Sequence, residues 1–260
     1  MRRRLDHELV RRGLTRSRGE ARDAILAGRV TVAGRPALKP GGLIATEEPV
    51  VVAGEPRPYV SRGGEKLAAA LDRFDVDVAG RPALDAGAST GGFTDVLLSR
   101  GAEHVVAVDV GYGQLAWPLR NDPRVTVMER TNARTLRAED LPFWPEVVTA
   151  DVSFIGLAKV VPALVGVAAD GADLVLLVKP QFEAGPEEVG RGGIVSDPHV
   201  WRRTVEDVAA ACRAAGAGPR RVMASPIRGP AGNVEFLLHA RVGEAGETLD
   251  LDAALTEVPA

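Results

Sequence analysis

The chain has 260 residues, of which 45% are apolar and 26% are charged, which is the composition of an ordinary soluble globular protein. Its single cysteine, Cys212, excludes an internal disulfide, and no apolar run reaches the roughly 18 residues that a membrane-spanning helix needs. The basic start of the chain is not followed by the apolar segment of a secretion signal. We therefore expect a cytoplasmic protein without membrane association, long enough for one large α/β domain and a small appendage.

The net charge of −3 conceals an uneven distribution. Residues 1–45 hold 11 Arg and Lys against 4 Asp and Glu, whereas the rest of the chain holds 21 against 31. A basic N-terminal piece on an acidic body is typical of a nucleic-acid-binding module joined to another domain. A solvated basic tail is the alternative that charge alone leaves open.

The first elements predicted along the chain are two short amphipathic helices. One spans about residues 5–13 and ends near Gly13; the other begins at Ser17, with Glu20 completing a capping box, and ends at Gly28. Short strands follow in RVTVAG and EPVVVAG. Arginines recur through both helices and suit a surface that tracks phosphates. We predict RNA-backbone contacts from Arg4, Arg11, Arg16, Arg18 and Arg22.

A proline-containing linker, about residues 54–60, is predicted to separate a domain at 1–58 from a domain at 59–260. Beyond residue 80, apolar β-branched runs alternate with helical segments, which indicates a parallel sheet covered on both faces. Two further strands near the C-terminus are predicted to form an antiparallel edge. The predicted fold is therefore α/β and Rossmann-like, with a seven-stranded, mostly parallel sheet and a small N-terminal α+β domain.

A glycine-rich turn, DAGASTGGFT at residues 85–94, follows the first strand of this sheet and opens a helix. Its spacing weakens a dinucleotide site and excludes a P-loop. Asp109 ends the next strand, where a carboxylate can bind both hydroxyls of a ribose. S-adenosylmethionine is the leading candidate ligand, and a turn that only allows close packing is the alternative. The predicted cofactor contacts are Gly87, Ser89, Thr90, Gly91, Phe93, Asp109 and Asn132.

Lys179 interrupts an apolar pattern, because it follows five apolar residues, 174–178, and precedes Pro180. A buried strand has no use for an ammonium group in its interior. The lysine therefore lies at the strand end, at the rim where open α/β sheets carry their sites. It either belongs to an active site or extends its amine into solvent.

Longer motifs make the sequence resemble a known family. The N-terminal segment resembles the S4 RNA-binding domain, through TRSR at 15–18 and GRVTVAG at 28–34. The whole chain resembles the TlyA family of bacterial ribosomal RNA 2′-O-methyltransferases, historically called haemolysins, whose catalytic domain is similar to FtsJ. The motifs that carry this resemblance are YVSRGGEKL, LDAGASTGGFTDVLL, VDVGYGQLAW, ERTNAR, ADVSFI, LVKPQFE and GNVEF.

The resemblance implies a Lys-Asp-Lys-Glu catalytic tetrad, and its four positions are filled here by Lys66, Asp151, Lys179 and Glu235. Our hypothesis is that Lys179 accepts or steers the hydroxyl proton, Asp151 orients Lys179, and the other two position the ribose. The family implies S-adenosylmethionine as cofactor, no metal, and a cytidine of large-subunit rRNA as target, with a small-subunit cytidine in some members.

Three other functions are alternatives to this one. A membrane-lytic protein is suggested by the historical family name, and a ribosome-binding factor without catalysis by the fold alone. Base methylation is the nearest enzymatic alternative, but it would use an Asn/Asp-Pro-Pro-Tyr/Phe motif or a nucleophilic cysteine, and neither appears. An intact tetrad and glycine loop favour the ribose methyltransferase.

Overall fold

The architecture is taken from a computed structural model, which describes residues 2–53 and 58–259. The predicted linker at 54–60 therefore falls largely outside the described residues. The strands are β1 Arg2–Arg4, β2 Val30–Val32, β3 Arg35–Pro36, β4 Leu43–Ala45, β5 Val50–Val52, β6 Pro82–Ala86, β7 His104–Asp109, β8 Val125–Glu129, β9 Val147–Ala150, β10 Asp173–Val178, β11 Ala217–Ala224 and β12 Phe236–Val242. The α-helices are α1 Leu5–Arg11, α2 Arg18–Leu26, α3 Gly63–Phe74, α4 Gly92–Ser99, α5 Trp117–Arg120, α6 Val161–Val167, α7 Pro180–Glu183, α8 Pro198–Ala214 and α9 Leu251–Thr256.

The N-terminal part is a small α+β unit, as the sequence predicts. Helices α1 and α2 pack on short strands around a core that includes Leu9, Ile25 and Val30. Ser17 caps α2 by accepting a hydrogen bond from the backbone N–H of Glu20. The other half of the expected capping box is shifted by one residue, because the Glu20 carboxylate accepts from the backbone N–H of Arg16 rather than from that of Ser17.

A seven-stranded sheet forms the body, in the order β11-β12-β10-β9-β6-β7-β8. Strands β10, β9, β6, β7 and β8 pair in parallel, and β12 runs antiparallel to both of its neighbours, β10 and β11. The predicted mostly parallel sheet with an antiparallel edge is confirmed. This reversed strand lies second from the edge. Because it is antiparallel to β10, it starts at the rim where the parallel strands end.

Two apolar layers cover the sheet. Strand β10 is buried throughout, and its side chains alternate between the layers: Leu174 and Leu176 point to one, Val175 and Leu177 to the other. Helices α6 and α8 pack on the first face, and α3 and α4 on the second. This burial on both faces explains the unbroken apolar runs in the sequence.

Candidate active site

The glycine-rich loop after β6 packs directly against the end of β9. Gly87 has φ +87°, and a Cβ at this position would lie 2.5 Å from the backbone oxygen of Asp151. Only glycine fits here, since both the left-handed backbone and the close approach exclude a side chain. The loop therefore places its backbone beside a predicted catalytic carboxylate.

Asp109 ties the end of β7 to the same loop. One carboxylate oxygen accepts from the backbone N–H of Ser89 at 2.8 Å, and the other accepts from that of Gly111 at 2.6 Å. Beside this carboxylate lies a cavity of about 260 Å³, which we call the loop cavity; Gly87, Asp109 and Asn132 are among its lining residues. A small ligand with a hydroxyl-rich sugar fits such a carboxylate-edged space.

The four predicted catalytic residues line a second cavity of about 670 Å³, the catalytic cavity. Gly87, Ser89 and Asp151 line both cavities, so the two spaces are continuous at the glycine loop. The tetrad residues come from four separated elements. Their convergence follows from topology, because β9 and β10 end at this rim and the antiparallel β12 begins there.

Lys179 and Asp151 form the first of two ion pairs in the catalytic cavity. The Lys179 Nζ lies 2.5 Å from Asp151 Oδ1 and donates to Ser153 Oγ at 2.8 Å. The Asp151 side chain retains 24% of its exposure. A carboxylate that is open to the cavity can still contact a bound substrate.

The second pair, Lys66 with Glu235, is more deeply enclosed. The Lys66 Nζ lies 2.5 Å from Glu235 Oε2, and only 1% of the Glu235 side chain is exposed. Lys66 lies in the first turn of α3, whereas Glu235 immediately precedes β12. The backbone N–H of Ser225 donates to the Glu235 carbonyl, which fixes the start of this strand at the rim.

A buried carboxyl that sequence reasoning did not select lies beneath this site. Asp85 of β6 accepts a hydrogen bond from Thr94 Oγ1 at 2.6 Å and is completely buried. Burial, with a smaller contribution from the nearby Asp151 carboxylate, raises the pKa of Asp85 to about 7, against the opposing effect of the hydrogen bond from Thr94. The only sequence signal was its place at the head of the glycine-rich motif.

The predicted cofactor residues do not all face a cavity. Thr90 and Phe93 line the catalytic cavity. Asn132 lines the loop cavity, although its side-chain oxygen is used to cap a short 3-10 turn at the N–H of Arg134. Gly91 instead faces the apolar side chains of Leu115 and Leu119. Its left-handed backbone, φ +100°, therefore serves packing between the loop and α5.

Sequence reasoning missed two residues that follow Asp151. Ser153 accepts the hydrogen bond from Lys179, and Phe154 lines both cavities with 93% of its surface exposed. Phe154 also has a left-handed backbone, φ +65°. Their only sequence signal was adjacency to the aspartate in the ADVSF motif.

Four of the five predicted RNA-binding arginines share one groove. Arg4, Arg16, Arg18 and Arg22 line a space of about 970 Å³ beside α2. Arg11 is not among the residues that line it; its guanidinium is paired with Glu8 on the same helix. Arg12 was not selected as a contact, and it binds Glu8 together with the carbonyls of Thr46 and Glu48, which is a structural role.

Comparisons with known proteins show the family to which this chain belongs. The FtsJ-like methyltransferase family matches residues 59–242, and the S4 domain matches residues 3–47. A Mycobacterium tuberculosis protein named 16S/23S rRNA (cytidine-2′-O)-methyltransferase TlyA is 56% identical over 239 residues, covering 92% of this chain and 89% of the relative. The chain belongs to the TlyA family.

Two further relatives show how the TlyA family is named elsewhere. The Bacillus subtilis protein YqxC, described as a "putative rRNA methyltransferase", is 48% identical and covers 95% of this chain and 89% of its own. A solved structure described as a "putative hemolysin" from Streptococcus thermophilus superposes with a TM-score of 0.77 at 40% identity, over 99% of this chain and 94% of its own. Within residues 2–53 and 58–259, no helix is long and apolar enough to cross a membrane.

Proposed function

We propose that this TlyA-family protein methylates the 2′-hydroxyl of a cytidine ribose in ribosomal RNA, with S-adenosylmethionine as the methyl donor. One observation carries the proposal: two lysine–carboxylate pairs meet in a cavity that is continuous with the carboxylate-edged loop cavity. The name of the M. tuberculosis relative supports the reaction and the substrate class. The target is a large-subunit cytidine and, by the same relative's name, also a small-subunit one.

The loop cavity fits the adenosine part of the donor. Its glycine approaches the end of β9 so closely that no side chain fits, and the Asp109 carboxylate lies at its edge. In this proposal Asp109 holds the ribose of the donor, and Gly87, Ser89 and Thr90 hold its methionine part, with Phe93 as an apolar wall. When bound, the donor supplies an electrophilic methyl group on a sulfonium.

The tetrad residues would orient and activate the hydroxyl. The Lys179 Nζ is already occupied by its ion pair with Asp151 and its hydrogen bond to Ser153. This arrangement supports a steering role for Lys179 over direct proton acceptance, with the Asp151 carboxylate as the group that is open to take the proton. Lys66 and Glu235 would hold the ribose from the other side.

The substrate would be held by both halves of the chain. We propose that residues 1–58 form the RNA-binding domain, with Arg4, Arg11, Arg16, Arg18 and Arg22 on the phosphates, and that residues 59–260 form the methyltransferase domain. A ribose 2′-hydroxyl inside a folded RNA is hard to reach, which favours an exposed or flipped-out target nucleotide. Ribosomal subunits in the cytoplasm are the partners that this proposal requires.

The test is methyl transfer from radiolabelled S-adenosylmethionine to separated small and large ribosomal subunits that lack the modification, followed by nucleoside analysis. We expect label in 2′-O-methylcytidine and a loss of at least about a hundredfold in kcat for Asp151→Asn. Label on a base would overturn the ribose assignment. No transfer to either subunit would overturn the enzyme proposal in favour of a binding factor.

A further inference from the structure

A groove beside the catalytic cavity lies between the N-terminal part and the loop before α5. Its volume is about 970 Å³. We call it the arginine groove and define it by Arg4, Arg16, Arg18, Arg22, Arg120 and Trp117. The first four come from the N-terminal part, and the last two come from α5 of the body. Both halves of the chain therefore contribute to one surface.

The charge of this groove suits a polyanion. Within residues 2–53 and 58–259, five arginines line it against one acidic side chain, Asp6, which is paired with Arg4 at 2.8 Å and lies 3.6 Å from Arg18. Arg22 is exposed and has no ion pair among the described residues. Arg16 lies 3.7 Å from Asp95 and Arg120 is paired with Glu129, so the positive charge of the groove comes from the excess of guanidinium groups in its lining and from Arg22. An excess of guanidinium groups along a groove is the feature that binds a nucleic-acid backbone.

Trp117 adds an aromatic surface to this charge. It is the first residue of α5, and 72% of it is exposed. The backbone around it is fixed, since the N–H of Ala116 donates to the carbonyl of Thr90 at 3.0 Å and Arg120 is paired with Glu129. A rigid exposed indole beside arginines provides a platform on which an unpaired base stacks.

The groove leads to the catalytic cavity. Gly19 and Thr90 line both spaces, so a chain that leaves the catalytic cavity passes between them into the groove. A nucleotide whose ribose lies at the tetrad would therefore have its neighbour on the strand near Trp117. Charge, stacking surface and continuity all favour a single-stranded RNA segment over a folded protein.

We propose that the arginine groove binds the RNA strand next to the target nucleotide, with one flanking base stacked on Trp117. This inference rests on the proposed function, because it concerns the substrate of the same site. It assigns Trp117 as a residue that determines how the substrate strand is held, and Arg22 as a phosphate contact on the opposite wall.

The test compares Trp117→Ala with Trp144→Ala as a matched control. Trp144 is also exposed, at 56%, but it lies just before the start of β9, at the rim where the parallel strands begin and opposite to the rim of the site. For methylation of unmodified ribosomal subunits, we expect Trp117→Ala to raise KM about tenfold with little change in kcat. Trp117→Phe should restore KM, and Trp144→Ala should match the wild type. The affinity for S-adenosylmethionine is measured in parallel and should stay unchanged.

Two direct measurements do not depend on turnover. Subunit binding should quench part of the tryptophan fluorescence in the wild type but not in Trp117→Phe, which keeps the stacking surface and loses the signal. Arg22→Ala should lower the slope of log affinity against log salt concentration by about one, as expected for one lost phosphate contact.

The outcomes separate the two proposals. If the wild type methylates subunits and Trp117→Ala equals Trp144→Ala, the groove proposal is overturned while the proposed function stands. The proposal would also be overturned if Trp117→Ala lost affinity for S-adenosylmethionine by the same factor as its KM for the subunits rose. The residue would then act through the glycine loop. If the salt slope is unchanged in Arg22→Ala and no fluorescence is quenched, the groove's occupant is not RNA. Absence of methylation by the wild type bears on the proposed function instead, and the fluorescence and salt measurements still decide the groove.

Discussion

Lys179 shows how the position of one residue on a strand determines its surroundings. The five apolar residues before it are buried, and the strand ends at the rim beside Asp151. Its ammonium does not extend into solvent, because it is held between the Asp151 carboxylate and the Ser153 hydroxyl. Of the two explanations that the sequence left open, the geometry therefore favours the active site.

The two lysines of the tetrad should differ in what their loss costs the fold. Lys66→Ala removes the ion-pair partner of Glu235, whose side chain is 1% exposed, whereas Lys179→Ala removes that of Asp151, whose side chain is 24% exposed. We expect Lys66→Ala to lower the free energy of unfolding by about 3–5 kcal/mol and Lys179→Ala by clearly less. Urea denaturation measures this difference. Lys159→Ala, at an exposed lysine, serves as the control, and equal losses at Lys66 and Lys179 would contradict the argument.

Asp85 should make stability depend on pH near neutrality. Its folded pKa, about 7, lies above the ordinary value of 3.8, so the unfolded chain releases this proton first as the pH rises. The stabilising contribution is therefore fully present below about pH 4 and is lost as the pH rises through about 7. Asp85→Asn cannot ionise and keeps an acceptor for Thr94.

Calorimetry of both proteins over about pH 4 to 8 checks this expectation. The Tm of Asp85→Asn minus that of the wild type should increase across the window and level off above the folded pKa. A constant difference would mean that Asp85 titrates outside this range.

At the scale of elements, the site depends on where strands begin and end. Strands β9 and β10 end at the rim with Asp151 and Lys179, and the reversed β12 begins there just after Glu235. If β12 were parallel to β10, the Glu235 carboxylate would lie at the opposite rim, where the parallel strands begin. The antiparallel strand is thus what brings the fourth tetrad position to the others.

The glycine loop provides a test at this scale. In Gly87→Ala, the Cβ would lie 2.5 Å from the backbone oxygen of Asp151, whereas Gly80, with a similar φ of +70°, has nothing within 4 Å. We expect Gly80→Ala to cost only the backbone strain of about 1–2 kcal/mol. Gly87→Ala should cost more and weaken S-adenosylmethionine binding at least tenfold. Denaturation and titration calorimetry measure the two effects; equal costs would show that the loop can shift away from β9.

At the scale of the whole molecule, a few polar contacts join the N-terminal part to the body. Ser17 Oγ donates to the carbonyl of Val60 at 2.8 Å, and the N–H of Val60 donates to Asp95 of α4 at 2.8 Å. Arg16 lies 3.7 Å from the same carboxylate. Burial raises the pKa of Asp95, against the opposing effects of the hydrogen bond from Val60 and the charge of Arg16. This junction fixes the wall of the arginine groove relative to the catalytic cavity.

Ser17→Ala tests the junction, because Ser17 both caps α2 and bonds to Val60. Asp197→Ala is the matched control, since Asp197 caps α8 through the N–H of His199. Loss of a cap costs about 1 kcal/mol, and loss of the buried bond to Val60 adds about 1–3 kcal/mol. We expect the larger destabilisation for Ser17→Ala in chemical denaturation. Equal values would mean that the bond between the parts contributes no stability.

Much of the fold could be predicted from the sequence, because its signals are local. Apolar runs, the glycine turn and Ser17 as a helix cap each depend on residues that are close along the chain, and the structure has the corresponding strands, turn and cap. Two details could not be predicted: the Glu20 carboxylate accepts from the N–H of Arg16 instead of that of Ser17, and Gly91 faces Leu115 and Leu119 instead of a cavity. Each depends on the exact path of the backbone, which composition leaves open.

The sequence by itself determined the strands, the loop and, through family motifs, the four candidate catalytic positions. Only the tertiary structure decided how those positions pair: Lys66 and Glu235 are 169 residues apart and meet because β12 is reversed. It also decided the burial of Asp85 and the meeting of Trp117 with the N-terminal arginines. The physical reason is common to all three, because burial and charge pairing depend on contacts between distant segments, which a local pattern does not encode.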